Sequence, residues 1–256
     1  MFKRPALLAM LILALAAAPA AAHDETKPQT TPKSIDLVIC LDTSGSMSGL
    51  IHAARQKLWS VVNELATLKP EPHLRVGLLT FGTPRVAGVK PGDVVIQTDL
   101  TTDLDLVSEK LFALGTRGGK ELVGRVMHYA LTDLGWSKSA GLKTIFVAGN
   151  ESADQDTEKR YTAMAKLAKA HGIYVNAIYC GGADDADAAS WRQLASFNGR
   201  FSNIDHNRGT VSVKTPYDDK LALLSSKLNK TYVFYGKERK LRESRQVAQD
   251  SNAGKV

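Results

Sequence analysis

Five consecutive apolar residues, Leu37-Val38-Ile39-Cys40-Leu41, stop at Asp42 and a Ser/Gly-rich turn, Thr43-Ser44-Gly45-Ser46. An unbroken apolar run has no solvent face. It predicts a strand covered on both sides, as in parallel sheets flanked by helices. Downstream, Ala54, Leu58, Val61, Leu65 and Leu68 recur at helical spacing, and Pro70 closes that helix. The alternation continues along the chain. Strands are expected over 74–81, 94–97 (short, near a sheet edge), 143–148, 173–180 and 200–201. Helices are expected over 103–114, 122–134, 161–171, around Trp191 to Ala195, and through Leu221, Leu224 and Leu228. The fold class is therefore α/β: a doubly wound, mostly parallel central sheet with helices on both faces, in one domain over residues 34–230.

Residues 1–22 carry the pattern of an export signal. Lys3 and Arg4 precede the apolar stretch Ala6 to Ala18, Pro19 ends it, and Ala20-Ala21-Ala22 offers small residues for cleavage before His23. That stretch falls short of the roughly 20 apolar residues a spanning helix needs. No later stretch in the sequence is apolar for long enough either. The chain is accordingly expected to be exported, periplasmic or secreted, with residues 23–33 a polar leader. Removing Lys3 and Arg4 takes the formal net charge from +7 to +5. Much of the remainder sits in a C-terminal extension, 231–256, which carries six basic and three acidic residues from Lys237 onward. No basic stripe with interleaved aromatics crosses the body, which argues against nucleic acid as a partner. Cys40 and Cys180 each lie in an apolar run and are expected as buried free thiols, a disulfide between them being the alternative.

Open parallel sheets bind their ligands at the carboxyl ends of the strands, where the turn after Leu41 stands. Spacing of two lets a tight turn aim Asp42, Ser44 and Ser46 at one point. One carboxylate and two hydroxyls are hard oxygen donors, suited to Mg²⁺, Mn²⁺ or Ca²⁺ rather than zinc. A plain strand-to-helix turn capped by Ser44 or Ser46 is the simpler alternative. Asp-x-Ser-x-Ser, behind a buried strand and ahead of a long amphipathic helix, resembles the metal-ion-dependent adhesion site of von Willebrand factor A domains. The likeness extends over about residues 34–229. It implies a Rossmann-like fold, a divalent cation with Mg²⁺ first, and a protein partner whose acidic side chain completes the metal site. Two outer positions depart from the family pattern. Where the family has a Thr after two glycines, this chain has Lys120 after Gly118-Gly119, with Glu121 beside it. Where the family ends its fourth strand with Thr-Asp-Gly, the chain reads Ala148-Gly149-Asn150-Glu151. Glu121 and Glu151 are the expected replacement ligands, with Asn150 a further oxygen donor. Acids that simply favour a helix start are the alternative. The stretch Trp136 to Asp156 also resembles a bacterial secreted subgroup in which the Ala-Gly-Asn-Glu turn recurs, and this implies a modified site.

Other constellations carry less. Asp184, Asp185 and Asp187 lack an EF-hand register and fit the opening of the helix that holds Trp191. The histidines show no zinc spacing, and His52, in the first turn of the helix after the motif, is expected on the solvated surface. There is no Gly-x-Ser-x-Gly elbow, the Gly115–Lys120 turn is followed by Glu121 in place of a phosphate loop's Ser or Thr, and no Gly-x-Gly-x-x-Gly follows the first strand. The expected function is a non-enzymatic, exported, protein-binding module. A metal-dependent hydrolase using the same site, and a structural envelope protein with a vestigial one, are the alternatives.

Overall fold

The apolar run forms the second half of strand β1 (Ser34–Asp42), which lies in the middle of a six-stranded sheet. The computed structural model describes residues 34–84, 88–138, 141–204 and 218–253. The expected export segment and leader lie outside them. β1 pairs in parallel with β2 (His73–Phe81) on one side and β4 (Leu142–Gly149) on the other. β4 pairs in parallel with β5 (Tyr174–Tyr179), and β5 with the short β6 (Phe201–Asn203). The edge strand β3 (Val95–Thr101) runs antiparallel to β2, so the strand order is β3-β2-β1-β4-β5-β6. The chain leaves β1 for one side and later returns to the other. The switch point of the topology therefore falls at the carboxyl end of β1, directly at Asp42.

Strand alternation explains why β1 is apolar without interruption. Ile35, Leu37, Ile39 and Leu41 enter the core beneath α1 (Ile51–Ala66) and α2 (Leu104–Ala113). Val38 and Cys40 enter the opposite core, under α3 (Val123–Thr132), α4 (Tyr161–Ala170) and α5 (Ala188–Ser196). The five branched aliphatic side chains of β1 are at most 1 % exposed. At about 2 kcal/mol each, their burial contributes about 10 kcal/mol, as much as the net stability of many domains. Cys40 and Cys180 are buried and free, so the expected thiols are present. Burial pushes the Cys180 thiol up to about 12 and raises Cys40 as well, which keeps both unreactive.

Local signals set the helix ends. Asp103 caps α2 by accepting the Leu106 N–H at 2.9 Å, with Asp105 in its first turn and Lys110 in its last. Two single 3₁₀ turns, Gly45–Met47 and Ala153–Gln155, follow β1 and β4, and the sequence periodicity does not foresee them. After α6 (Asp218–Asn229) the chain forms α7 (Arg239–Ala253), which reaches α2 through Arg245: its guanidinium donates to Glu109 at 2.7 Å and to Asp103 at 3.1 Å. No described helix is long and apolar enough to cross a membrane.

Candidate metal centre

Three loops meet at the carboxyl end of β1. The first is the motif turn. Asp42 is fully buried, and its Oδ1 accepts the Ser44 N–H at 2.7 Å, which bends the backbone so that Ser44 and Ser46 turn back toward the strand end. The second loop, 115–122, brings Glu121. Its backbone is clamped to the motif turn where Arg117 N–H donates to the Thr43 carbonyl at 2.9 Å. Gly119 lies so close to Gly82 that a Cβ would fall 2.1 Å from the Gly82 carbonyl oxygen. Only glycine permits that approach. Thr43 itself is fixed by donating to the Phe81 carbonyl at 2.9 Å and by contact with Thr83 at 2.7 Å. The third loop follows β4 and brings Asn150.

At the centre, Ser44 Oγ and Ser46 Oγ each stand 2.8 Å from Glu121 Oε1 and 2.9 Å from one another. Asn150 Oδ1 adds a contact to Ser46 Oγ at 3.2 Å. While Glu121 is ionised, the three contacts among the serines and Glu121 share two hydroxyl protons, so one pair of oxygens then faces without a proton. Asp42 Oδ2 is buried with no amide or hydroxyl donor among the described residues reaching it, and the neighbouring Glu121 carboxyl faces the same group. Burial, then the charge of Glu121, pushes the Asp42 carboxyl up to about 8, and burial raises Glu121 too. Two facing carboxyls whose ionisation is opposed by burial and by each other's charge, with two hydroxyls beside them, form an oxygen cluster that a cation can satisfy. Edges of 2.8–2.9 Å are ordinary O–H···O lengths, and an octahedron of oxygens at about 2.05 Å from an ion has edges of about 2.9 Å, so the triangle admits a small cation without further opening. The residues present therefore fit a small hard cation.

The other expected positions are placed as follows. Lys120, at the family's Thr position, is exposed and its N–H faces Asp93 at 3.3 Å. Glu151 lies near enough to raise Glu121 electrostatically, but its carboxylate accepts from Gln155 at 2.9 Å while its neighbour Asn150 faces Ser46. Gly149 is buried against the Trp191 ring, and a Cβ there would lie 3.0 Å from two ring carbons and 3.3 Å from Asp42 Cβ. The space for the family's Asp side chain is thus filled by Trp191, whose Nε1 also donates to the Glu151 carbonyl at 2.7 Å. Nothing in the spacing of the sequence announces this role, because Trp191 arrives from α5, forty residues on from Glu151. His52 is exposed, near Arg55 and Gln56. Asp185 accepts from Tyr179 and Gly182 at the start of α5, and among the described residues no three His, Cys, Asp or Glu side chains gather to hold a metal.

The profile of the von Willebrand factor type A domain matches residues 36–214. The chain belongs to this family. Solved structures share the fold at low identity. The SpRpn10 VWA domain is 18% identical, with 77% of this chain and 95% of that chain covered and a TM-score of 0.52. Proximal thread matrix protein 1 from the mussel byssus, in a form with a zinc-occupied MIDAS motif, is 13% identical over 70% of this chain and 43% of that one, with a TM-score of 0.55. The pilus adhesin SpaC from Lactobacillus rhamnosus GG is 18% identical over 68% of this chain and 28% of that one, with a TM-score of 0.53. This chain spans less than half the length of the mussel and pilus proteins. No curated protein matches the sequence.

Proposed function

We propose that this chain is an exported protein-binding module built around a divalent cation held by Asp42, Ser44, Ser46 and Glu121, with Asn150 and Glu151 at its edge. The observation that carries this reading is the oxygen triangle of Ser44, Ser46 and Glu121 beside the buried Asp42 carboxyl, which faces a second carboxyl and has no amide or hydroxyl donor to Oδ2 among the described residues. Such an arrangement is costly when it stays dry and unpaired, and a cation relieves it. The hard oxygen donors suit Mg²⁺ first, with Mn²⁺ or Ca²⁺ the alternatives. A bound cation supplies a fixed positive centre that orients oxygen groups on the binding face. The chain's own residues then set the shape of that face. Thr43 and Arg117 lock the first two loops together, and Trp191 fixes the turn that carries Asn150. The acidic partner side chain implied by the family resemblance would meet a site already holding two carboxylates.

A non-enzymatic role accords with the disposition of the acids. Oε1 of Glu121 is engaged by two serine hydroxyls, Asp42 is sealed from solvent, and the histidine nearest in sequence to the motif, His52, faces outward. Known relatives of the same fold include a pilus adhesin and a byssus matrix protein, which supports a binding role without assigning their partners to this chain. Export rests on the Lys3-Arg4 start, the Ala6 to Ala18 stretch and the small residues before His23. N-terminal sequencing of protein recovered from a bacterial periplasm or medium is expected to begin at His23.

Calorimetric titration of the domain with Mg²⁺, Mn²⁺ and Ca²⁺ tests the site. Saturable binding of Mg²⁺ and Mn²⁺, abolished in Asp42→Ala and weakened less than about threefold in Glu151→Gln, is the expected outcome. Equal heats from the wild type and Asp42→Ala would remove the cation from this reading.

A further inference from the structure

The two last helices and the turn between them keep their apolar side chains outside. Leu223, Leu224 and Leu228 of α6 are each at least half exposed. The helix ends where the Leu228 carbonyl accepts the Thr231 N–H at 2.9 Å and the Thr231 hydroxyl at 2.7 Å. In the segment Tyr232-Val233-Phe234-Tyr235 that follows, Val233 is 84% and Tyr235 87% exposed, and the Tyr232 ring stacks on Phe234. Gly236, at φ 87°, then turns the chain toward α7, which Arg245 ties to α2. An exposed apolar residue standing singly is ordinary. Six between positions 223 and 235 form a patch that marks a contact.

Charge indicates what meets this patch. From Lys227 to Arg242 the chain carries six basic residues against one acid, Glu238, for a net charge of +5. All six, Lys227, Lys230, Lys237, Arg239, Lys240 and Arg242, are exposed. A second copy of the chain would bring the same charge and be repelled. An anionic surface is attracted instead. Protruding Tyr and Val side chains flanked by lysines match the interface of a bilayer, where aromatic rings settle at headgroup depth and ammonium groups meet lipid phosphates. Such a surface accepts separate protruding side chains without a pocket shaped for each. No described helix is long and apolar enough to cross a membrane, so a contact of this kind lies on the bilayer rather than through it.

We propose that residues 223–242 dock the domain on an anionic phospholipid surface. Val233 and Tyr235 enter the headgroup region, and the surrounding Lys and Arg side chains hold the lipid phosphates. This contact is separate from the site at Asp42 and does not depend on a cation there.

Cosedimentation with vesicles tests the proposal. The chain is taken from His23 onward, which keeps the whole compact unit beginning at Thr31 and removes the apolar stretch 6–18 that would enter vesicles by itself. At an ionic strength of about 0.1 M, binding to vesicles of phosphatidylglycerol and phosphatidylcholine in equal parts is expected to be at least tenfold tighter than to phosphatidylcholine alone. Lys237→Gln with Lys240→Gln should weaken it about tenfold or more, since each basic residue near such a surface contributes about fivefold. Val233→Ser with Tyr235→Ser, both at exposed positions, should weaken it at least fivefold and leave the urea midpoint unchanged. Equal binding to both vesicle types, or none to either, overturns the proposal and leaves an acidic protein as the occupant. Binding to the anionic vesicles that survives the Val233 and Tyr235 substitutions in full also overturns it, because the patch then takes no part.

Discussion

Gly149 and Trp191 show how a single side chain redirects a site. The Trp191 ring covers the position where a Cβ on residue 149 would project and anchors the following turn through the Glu151 carbonyl. Restoring the acid that the family carries there is therefore expected to damage the protein rather than improve it. Gly149→Asp forces an extra carboxyl between a ring at 3.0 Å and Asp42 Cβ at 3.3 Å, both buried. Overpacking of that kind costs about 2 kcal/mol, and a further buried charge adds to it. Urea unfolding should show a lower midpoint for Gly149→Asp, and Mg²⁺ affinity should fall with it. An unchanged midpoint would mean that the Trp191 ring moves aside readily. At this scale the sequence already held Asp42, Ser44 and Ser46, because a strand end followed by oxygen donors two apart is a local pattern. Glu121 and Glu151 were legible as candidates only from their place in two turns, and their side chains point to different partners.

At the scale of elements, strands and helices followed their local signals closely. The continuous run of β1, the capped start of α2 and the periodic faces of α1, α3 and α4 are all written within short windows of sequence. β3 is seven residues long and antiparallel, longer than its apolar residues indicate, because an edge strand needs an apolar face on one side only. The residues beyond Lys237 read in the sequence only as a charged extension, and they form α7, which contacts α2. The contact runs through Arg245, itself 14% exposed, to Asp103 and Glu109, each 42% exposed at the side chain. Ion pairs that open to solvent contribute little, about 0.5 kcal/mol each. Arg245→Ala is accordingly expected to shift global stability by less than about 1 kcal/mol. Amides of α7 should exchange several-fold faster in that variant while those of β1 and β4 stay protected. Uniformly faster exchange across the sheet would instead make α7 part of the central folding unit.

For the whole molecule, the sheet couples both cores, and a buried ion pair ties β1 to β2 at the end opposite the candidate site. Arg75 donates to Asp36 at 2.9 and 2.7 Å, and the Ser137 N–H adds a third bond at 2.7 Å. Burial alone would raise the Asp36 carboxyl, but these bonds and the Arg75 charge outweigh it and hold it below its ordinary value. A depressed carboxylate contributes stability that is full above its unfolded value, about 4, and is lost as the pH falls through the folded one. Acidification from pH 6 to pH 3 is therefore expected to destabilise the wild type more steeply than Asp36→Asn. At pH 7 that variant should already be about 3 kcal/mol less stable, since it leaves Arg75 without its counter-charge. Urea midpoints measured across this range check both statements, and parallel curves for the two proteins would remove Asp36 from the acid response.

The sequence by itself determined the α/β class, the order of strands and helices along the chain, the burial of both cysteines and the Asp42, Ser44, Ser46 triplet. Each of these rests on periodicity or spacing within a few residues, where the chain's geometry is fixed by covalent connection. Tertiary structure alone decided that Glu121 meets both serines, that Asn150 rather than the Glu151 carboxylate faces Ser46, and that Trp191 fills the space beside Gly149. Those contacts join residues 42 to 104 positions apart in the chain. Their distances depend on how three loops pack at one end of the sheet, and no local pattern encodes that packing.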